Sequence, residues 1–254
     1  MDNKVLEVID FLSKNKLCIF LEGLISSGKS TLGRSCKKHL GKNGIIYNYY
    51  AEPINEKLLD LFYSNIRRHA FNFQSITIRE RVHVRKGAIN FLRAGGNVVV
   101  IDRSEIGDCA FALMHHKDEN ISDEEFEVYA DLTKFKSVPD VYSGTDVKKV
   151  IVYLDCTAEK ARERVITRGN EKEILSCTVE YLSSLKHSYE KVFKSRACSN
   201  KLEETVINQI YDSIGTDDIT YLDYNSDFNL VDGELSEEDI FAILYKIIER
   251  LKSK

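Results

Sequence analysis

Residues 23–31 combine glycine, lysine and hydroxyl side chains at a spacing suited to holding phosphate groups. Gly23, four further residues, Gly28, Lys29 and Ser30 fit the pattern G-x-x-x-x-G-K-[ST]. Glycines let successive backbone N–H groups turn toward phosphate oxygens, the lysine reaches the β and γ phosphates, and the serine hydroxyl can ligate Mg²⁺. A helical pattern follows, so the positive end of a helix adds to the site. We therefore predict phosphate contacts for Gly23, Ser26, Ser27, Gly28, Lys29, Ser30 and Thr31.

Acidic side chains follow two further apolar segments. Glu52 comes after the segment 45–50, and Asp102 and Arg103 come directly after the apolar run 98–101. In open α/β sheets ligands bind beyond the carboxyl ends of the strands, so we expect these side chains to face the phosphate loop. Glu52 is then placed to accept a hydroxyl proton as a general base. Asp102 is placed to hold Mg²⁺ with the loop serine, and Arg103 to clamp phosphate oxygens.

Two other groups of residues suit a nucleotide. Arg164 and Arg168 are four residues apart on one predicted helix face, as in a lid that brings guanidinium groups to a transferring phosphoryl. A solvated basic face is the competing interpretation. A second group of aromatic and polar residues could stack on a flat heterocycle and form hydrogen bonds with its edge. The competing interpretation is that these are ordinary core residues on helix faces. This group consists of Tyr63, Phe71, Phe73, Gln74, Arg81 and Asp108.

These residues must be positioned by strands that alternate with helices, a pattern typical of a parallel sheet with helices on both faces. Strands are predicted over 17–21, 45–50, 98–101, 150–154 and 219–223. Helices are predicted over 3–14, 31–40, 55–66, 73–94, 105–136 with a break at 118–122, 158–167, 179–194, 202–214 and 237–251. At the break, Ser122 and Glu125 have the spacing of a capping box. Residues 168–173 are predicted to be a charged loop. With no linker or repeat, we predict one α/β domain over 1–254, extended at its N-terminus by the helical segment 1–16.

Composition narrows the function classes. The 254 residues carry a net charge of −4 with no arginine-rich tract, which favours a small anionic ligand over nucleic acid. The sequence contains no run of about 18 apolar residues, so we predict no membrane-spanning segment. The first residues do not resemble a signal or transit peptide. The 6 cysteines are scattered without a C-x-x-C pair, so we expect reduced thiols and a cytoplasmic protein.

The order of these motifs resembles the deoxyribonucleoside kinases, the family that includes the deoxycytidine, deoxyguanosine and insect multisubstrate kinases. The resemblance runs over nearly the whole chain, from Glu22 to Phe228. It implies a P-loop kinase fold, with a five-stranded parallel sheet and a short lid over about 168–175. It also implies transfer of the γ-phosphoryl of ATP, with Mg²⁺, to the 5′-hydroxyl of a small-molecule deoxynucleoside. We expect a homodimer with no nucleic-acid or membrane partner.

The resemblance also implies residue roles. Glu52 with Pro53 resembles the family's Glu-Pro, whose acid takes the proton of the 5′-hydroxyl, and Arg103 and Lys29 complete the catalytic set. Phe73 with Gln74 resembles the Phe-Gln pair whose amide reads the base. The remaining assignments are Tyr63 and Glu173 to the sugar 3′-hydroxyl, Arg81 and Asp108 to the base edge, Arg164 and Arg168 to the phosphates, and Asp227 and Phe228 to the donor's base.

The sequence departs from the family pattern in four places. Lys57 stands where a tryptophan is expected, and Asn170 replaces a third lid arginine. Phe111 lies one place before the expected aromatic position. The lid is one residue longer than usual, which makes Glu171 an alternative to Glu173.

The charge pair of Arg81 and Asp108 favours a base with an amino donor and a ring acceptor, because a ligand that leaves buried polar groups unpaired binds poorly. We therefore predict that deoxycytidine or the purine deoxynucleosides are preferred over thymidine. A thymidine-preferring multisubstrate kinase, a nucleoside monophosphate kinase such as thymidylate kinase, and a non-catalytic nucleotide-binding module are the alternatives. A monophosphate kinase needs further cations near Arg81, and Arg79, Arg85 and Lys86 are the candidates.

Overall fold

The computed structural model describes residues 3–136, 146–195, 200–214, 219–225, 230–231 and 234–253. Five strands form one parallel sheet in the order β2-β3-β1-β4-β5. Their bounds are β1 (Lys16–Gly23), β2 (Tyr47–Tyr50), β3 (Val98–Asp102), β4 (Val147–Asp155) and β5 (Ile219–Asn225). The predicted five-stranded parallel sheet is confirmed, with the strand that leads into the phosphate loop at its centre.

Helices cover both faces of the sheet. One face carries α1 (Asn3–Lys14), α2 (Lys29–Lys42) and α11 (Glu237–Lys252). The other carries α3 (Glu56–Ser64), α4 (Ile66–Arg93), α5 (Glu105–Lys117), α6 (Asp123–Lys136), α7 (Ala158–Arg168), α9 (Val179–Glu190) and α10 (Lys201–Ile214). A short helix, α8 (Glu171–Ser176), follows α7. Among the described helices, none has the length and apolarity needed to cross a membrane.

The apolar strands divide their side chains between two cores. In β1, Cys18 and Phe20 belong to the core under α4 and α5, whereas Leu17, Ile19 and Leu21 belong to the core under α2 and α11. This alternation follows from the two-residue period of a strand, and both faces are apolar because helices cover both. The strand ends are therefore fixed, together with the polar residues that follow them.

The helical extension packs on the rest of the chain. Val8 and Leu12 of α1 are fully buried in the core shared with α11, and Lys252 Nζ of α11 lies 2.6 Å from Glu7 Oε1. The predicted helix over 3–14 is confirmed. The described cysteines are buried and none of them forms a disulfide, whereas Cys198 lies outside the described residues.

Two predicted helix boundaries need correction, and one pair of strands was missed. Helix α4 begins at Ile66 rather than 73, because the Asn65 side chain accepts a hydrogen bond from the backbone N–H of Arg68 (3.1 Å) and caps the helix. Helix α9 ends at Glu190 and continues as a π-helical turn over Lys191–Ser195. An antiparallel pair, β6 (Leu230–Val231) and β7 (Glu234–Leu235), was not predicted.

The charged loop predicted over 168–173 is wrong in its second half, which is the helix α8. Asn170 Oδ1 accepts hydrogen bonds from the backbone N–H groups of Lys172 (3.1 Å) and Glu173 (3.3 Å). This is the contact of an N-cap, a position that asparagine favours. Asn170 therefore begins a lid helix at the position where a lid arginine was expected.

Candidate active site

The phosphate loop connects β1 to α2 through backbone conformations that favour glycine. The φ angles are 134° at Gly23, 62° at Ser26 and 100° at Gly28, all in the left-handed half of backbone space. A Cβ atom on Gly23 would lie 2.5 Å from the carbonyl oxygen of Leu154. The turn thus requires glycine at its start, and α2 begins at the motif's lysine.

Lys29 points into this loop. Its Nζ donates hydrogen bonds to the carbonyl oxygens of Leu24 (2.6 Å) and Gly23 (3.2 Å). Burial, and then the positive charge of Arg103, lower the pKa of Lys29 to about 7, although nearby acids oppose the shift. The loop therefore holds a desolvated ammonium group that an anionic phosphate would stabilise.

Asp102 ends β3 beside the start of α2. Its Oδ2 accepts hydrogen bonds from Ser30 Oγ (2.7 Å) and from the Tyr49 hydroxyl (2.9 Å), whereas its buried Oδ1 has no hydrogen-bond partner among the described residues. A carboxylate oxygen and a hydroxyl oxygen are ligands that Mg²⁺ prefers, usually together with waters and substrate phosphates. Ser30 and Asp102 therefore fit the predicted magnesium site. No group of three or more His, Cys, Asp or Glu side chains that could hold a metal occurs in the described part of the chain.

Arg81 contacts both Glu52, the predicted general base, and Asp108, which is predicted to lie at the edge of the nucleobase. Its Nη2 donates to Glu52 Oε1, its Nε lies 2.8 Å from both carboxylate oxygens of Asp108, and its Nη1 donates to the Asp102 carbonyl (2.9 Å). The Arg103 Nε lies 3.1 Å from the same Glu52 oxygen. Glu52 is thus held between two guanidinium groups.

These charges set the protonation of Glu52. Burial favours its neutral form, but the positive charges of Arg103, Arg81 and Lys29 outweigh burial and lower its pKa to about 2. Glu52 is therefore ionised at neutral pH and is able to accept a proton.

Arg103 is held in an uncommon backbone conformation, with φ of 67°. Its backbone N–H donates to the Leu21 carbonyl (2.9 Å), and its Nη1 donates to the carbonyl of Gly23 (2.8 Å) and to the Tyr189 hydroxyl. Its guanidinium carbon lies 4.9 Å from the centre of the Phe111 ring. The early position of Phe111 in the sequence thus places its ring on the guanidinium group.

A cleft of about 460 Å³ lies over these residues. The predicted residues that line it are Ser26, Ser27, Gly28, Lys29, Ser30, Thr31, Glu52, Tyr63, Phe73, Gln74, Asp102, Arg103, Asp108, Arg164, Arg168 and Glu173. Gly23, Phe71 and Arg81 are not among the lining residues. Phe71 packs against the hydrophobic core, and Arg81 is buried and hydrogen-bonds Glu52 and Asp108, which do line the cleft. Asp227 and Phe228, assigned to the donor's base, lie outside the described residues.

Aromatic rings form one wall of the cleft. Phe62 stacks on Phe73 with ring centres 4.5 Å apart, and the centre of the Tyr63 ring lies 5.1 Å from that of Phe62. Lys57, at the position of the expected tryptophan, is not among the lining residues, whereas Leu59 is. The wall predicted to hold the base is therefore apolar and contains no tryptophan.

Sequence reasoning missed several lining residues, among them Ile54, Leu59, Phe62, Thr77 and Tyr181. Thr77 and Leu59 could have been found from helix periodicity, because they lie three residues after Gln74 and four residues before Tyr63. Tyr181 comes from α9, far along the chain, and no local motif marks it.

The lid arginines, Arg164 and Arg168, line the same cleft. Arg164 Nη1 lies 3.5 Å from the carbonyl oxygen of Ser26 in the phosphate loop. Arg168 Nη2 lies 2.6 Å from Glu173 Oε2, so a lid cation and a lid acid form an ion pair across the α7–α8 connection. Glu173 lines the cleft and Glu171 is not among the lining residues, which favours Glu173 for the predicted sugar contact.

The sheet, the phosphate loop and a cleft at the carboxyl ends of the strands define a phosphate-loop α/β protein with room for a nucleotide. The sequence matches the family described as "Deoxynucleoside kinase" over residues 19–249. The chain therefore belongs to the deoxynucleoside kinase family, which confirms the resemblance found in the motifs.

Individual relatives are distant. A deoxyadenosine kinase of Dictyostelium discoideum is 29% identical over 171 residues, covering 67% of this chain and 64% of that protein. A deoxyguanosine kinase of the same organism is 29% identical over 175 residues, covering 68% of this chain and 57% of that protein. The matches thus span less than two thirds of either relative's length. Deoxycytidine kinase 2 of Gallus gallus is 27% identical over 236 residues, covering 83% of each chain.

A solved structure shares the fold. The deoxyadenosine kinase from M. mycoides with bound dATP superposes with a TM-score of 0.63 at 19% identity, covering 91% of this chain and 98% of that chain. At this identity the likeness supports the fold alone, and it agrees with the predicted P-loop kinase fold.

Proposed function

We propose that this protein transfers the terminal phosphoryl group of a nucleoside triphosphate, ATP in the simplest case, to the 5′-hydroxyl of a deoxynucleoside. The observation that carries the proposal is the position of Glu52, which lines the same cleft as the phosphate loop and is held by Arg81 and Arg103. A carboxylate in reach of a substrate hydroxyl and beside the donor site is the arrangement required for phosphorylating an alcohol. Family membership supports the same reaction.

The donor is assigned to the phosphate loop. Lys29 and the N-terminus of α2 would bind the β and γ phosphates, and Arg164 would approach them from the lid. Ser30 and Asp102 would hold Mg²⁺, which when bound neutralises and orients the phosphates. The buried Oδ1 of Asp102, without a hydrogen-bond partner in the described part of the chain, is the observation that supports this assignment.

The strength of the base depends on its neighbours. Held by Arg103 and Arg81, Glu52 has a pKa of about 2 and is a weak base, because both guanidinium groups stabilise its charged form. Anionic phosphates entering the cleft share the positive charge of Arg103, so the pKa of Glu52 rises toward its ordinary value. Glu52 therefore gains basicity when the phosphoryl group is in place, and it takes the proton of the 5′-hydroxyl as transfer proceeds.

The acceptor is assigned to the aromatic side of the cleft. Phe73 and Phe62 offer ring faces for the base, Gln74 and Asp108 offer polar groups for its edge, and Tyr63 with Glu173 is assigned to the 3′-hydroxyl. Because Arg81 donates to Asp108, Glu52 and a backbone carbonyl, it orients Asp108 rather than the base. Burial raises the pKa of Asp108 to about 7, although the positive charge of Arg81 opposes the shift, so Asp108 is mainly ionised only above neutral pH. In its ionised form Asp108 accepts hydrogen bonds only, and it would favour bases with an amino group over thymine.

This preference gives deoxycytidine or a purine deoxynucleoside over thymidine, and it agrees with relatives named as deoxyadenosine, deoxyguanosine and deoxycytidine kinases. A thymidine-preferring enzyme would require a different base edge. A monophosphate acceptor would require further cations, but Arg79 forms an exposed pair with Glu80, Arg85 is buried beside Glu105, and neither they nor Lys86 are among the residues lining the cleft.

The experiment is a panel of the four deoxynucleosides and their monophosphates with γ-labelled ATP and Mg²⁺. We expect label in deoxynucleoside monophosphates, with deoxycytidine or a purine deoxynucleoside giving the highest kcat/KM. Label appearing only in diphosphates would favour the monophosphate kinase, and tight ATP binding without turnover would favour the non-catalytic module. Light scattering on the same preparation tests the proposed homodimer.

A further inference from the structure

Tyr189 is a fully buried tyrosine of α9 that contacts the site but is not among the residues lining the cleft. Its hydroxyl accepts a hydrogen bond from Arg103 Nη1 and donates one to Glu22 Oε2 (3.3 Å). A guanidinium group can only donate hydrogen bonds, so the hydroxyl proton is directed at the carboxylate of Glu22. Tyr189 thus connects Arg103 to a second acid, distinct from Glu52.

The Tyr189 ring and the Glu22 carboxylate are both held rigidly. The Tyr189 ring stacks on Phe193 with centres 5.6 Å apart and meets Phe111 edge-on at 6.2 Å. Glu22 is fully buried and its Oε1 accepts hydrogen bonds from the backbone N–H and the hydroxyl of Ser104, both at 2.6 Å. Because neither the ring nor the carboxylate can shift easily in a packed interior, the hydroxyl oxygen is fixed relative to Arg103.

Arg103 needs such support for two reasons. Its φ of 67° is a strained conformation for a residue other than glycine, and strain of this kind persists only where surrounding contacts determine the conformation. In addition, its contact with Glu52 loses its ionic character when Glu52 takes a proton from the substrate. The contact with Tyr189 does not depend on that proton, so it persists throughout the reaction.

We propose that Tyr189 is a positioning residue for phosphoryl transfer, which holds the Arg103 guanidinium in place through the Glu22–Tyr189–Arg103 chain of hydrogen bonds. This inference rests on the proposed kinase function and adds a residue to it. Tyr189 acts through Arg103 and not on the substrate.

The test is Tyr189→Phe, which removes the hydroxyl and retains the ring. A hydrogen bond to a charged group is equivalent to about 10- to 100-fold in an equilibrium constant, so we expect kcat to fall by that order. The KM for the nucleoside should stay unchanged, because Tyr189 is not among the residues lining the cleft. Tyr211→Phe is the matched control: its hydroxyl donates to the Val192 carbonyl (3.0 Å), next to α9 and away from Arg103.

A double-mutant cycle separates positioning from general destabilisation. With Arg103 replaced by methionine, which has no hydrogen-bond donor, single-turnover rates should be the same with and without the Tyr189→Phe substitution, because the hydroxyl no longer has its partner. An equal fall in both backgrounds, or a similar fall for Tyr211→Phe, would overturn the inference. If Tyr189→Phe does not fold, judged by its thermal midpoint, Glu22→Gln replaces it in the same cycle, with the same expected lack of effect in the Arg103→Met background.

The outcomes distinguish the two proposals. If the wild-type protein phosphorylates a deoxynucleoside and Tyr189→Phe has the same kcat, the positioning role is overturned and the kinase proposal stands. A wild-type protein that phosphorylates none of the tested acceptors would overturn the proposed function and the positioning role with it.

Discussion

Replacing Glu52 by glutamine separates the catalytic and the structural contributions of one carboxylate. Glutamine keeps the size of the side chain and one acceptor oxygen, but it cannot take up the 5′-hydroxyl proton. General base catalysis contributes about 10²- to 10⁴-fold, so we expect turnover of Glu52→Gln to fall by about 10² or more. Triphosphate binding should persist, because Lys29 and the loop are unchanged.

The structure also sets the cost in stability. The Glu52 side chain is only 23% exposed and its pKa falls from 4.5 to about 2, which corresponds to about 3 kcal/mol of stabilisation of the folded state. A carboxyl group whose pKa is lower in the folded state stabilises that state at every pH above its pKa in the unfolded state. This stabilisation is lost as the pH falls through the pKa of the folded state. The stability difference between wild type and Glu52→Gln should therefore be largest above pH 4.5 and shrink toward pH 2.

The assays are urea unfolding at pH 7 and pH 3 and steady-state kinetics at pH 7. Glu105→Gln is the control, because Glu105 Oε1 pairs with buried Arg85 (3.0 Å) and Glu105 is not among the cleft's lining residues. We expect this control to lose stability while keeping turnover. Near-normal turnover of Glu52→Gln would refute its role as base, and an equal stability difference at both pH values would refute the electrostatic account.

Three further substitutions test other parts of the site. Lys29→Ala should abolish phosphoryl transfer. In the wild type, triphosphate affinity should weaken as pH rises above about 7, because Lys29 loses its proton there. Titration with a fluorescent ATP analogue should show this pH dependence in the wild type and not in the variant. Replacing Arg81 and Asp108 together by apolar residues of similar size should raise the ratio of thymidine to deoxycytidine kcat/KM, and a lower ratio would contradict the base-edge assignment. Asn170→Ala should weaken α8 by about 1 kcal/mol and speed hydrogen exchange at the Lys172 amide about fivefold, whereas unchanged exchange would contradict the capping role.

The parts of the fold that could be predicted are those with a local physical signal. Strand β1 and the turn into α2 follow from an apolar run, the glycines and Lys29, which only a strand–loop–helix unit explains. The capping box at Ser122 and Glu125 is confirmed by two reciprocal hydrogen bonds of 3.0 and 3.2 Å. In both cases residues close in the sequence determine the structure.

The parts that could not be predicted depend on distant residues or on ambiguous polar ones. The stretch 66–72 is rich in polar residues, so the sequence pattern places Asn65 near the end of one helix, whereas its side chain caps the next one, α4. The contacts of Tyr49 with Asp102 and of Tyr189 with Arg103 join residues far apart in the chain. A lone tyrosine in a strand or helix is ordinarily a core residue, so no pattern marks its hydroxyl as part of a site.

The charges of the cleft are compatible with the proposed binding of a triphosphate by a chain with a net charge of −4. Each acid that lines the cleft already contacts a cation or a hydrogen-bond donor: Glu52 contacts Arg81 and Arg103, and Glu173 contacts Arg168. Paired in this way, the acids repel an incoming phosphate less than isolated carboxylates would. In the proposed mechanism, a triphosphate that attracts Arg103 and Arg168 would weaken these pairs, so that binding of the donor would raise the basicity of Glu52 and would free Glu173 for the sugar. The same charges that balance one another within the cleft would thus link donor binding to readiness of the acceptor site.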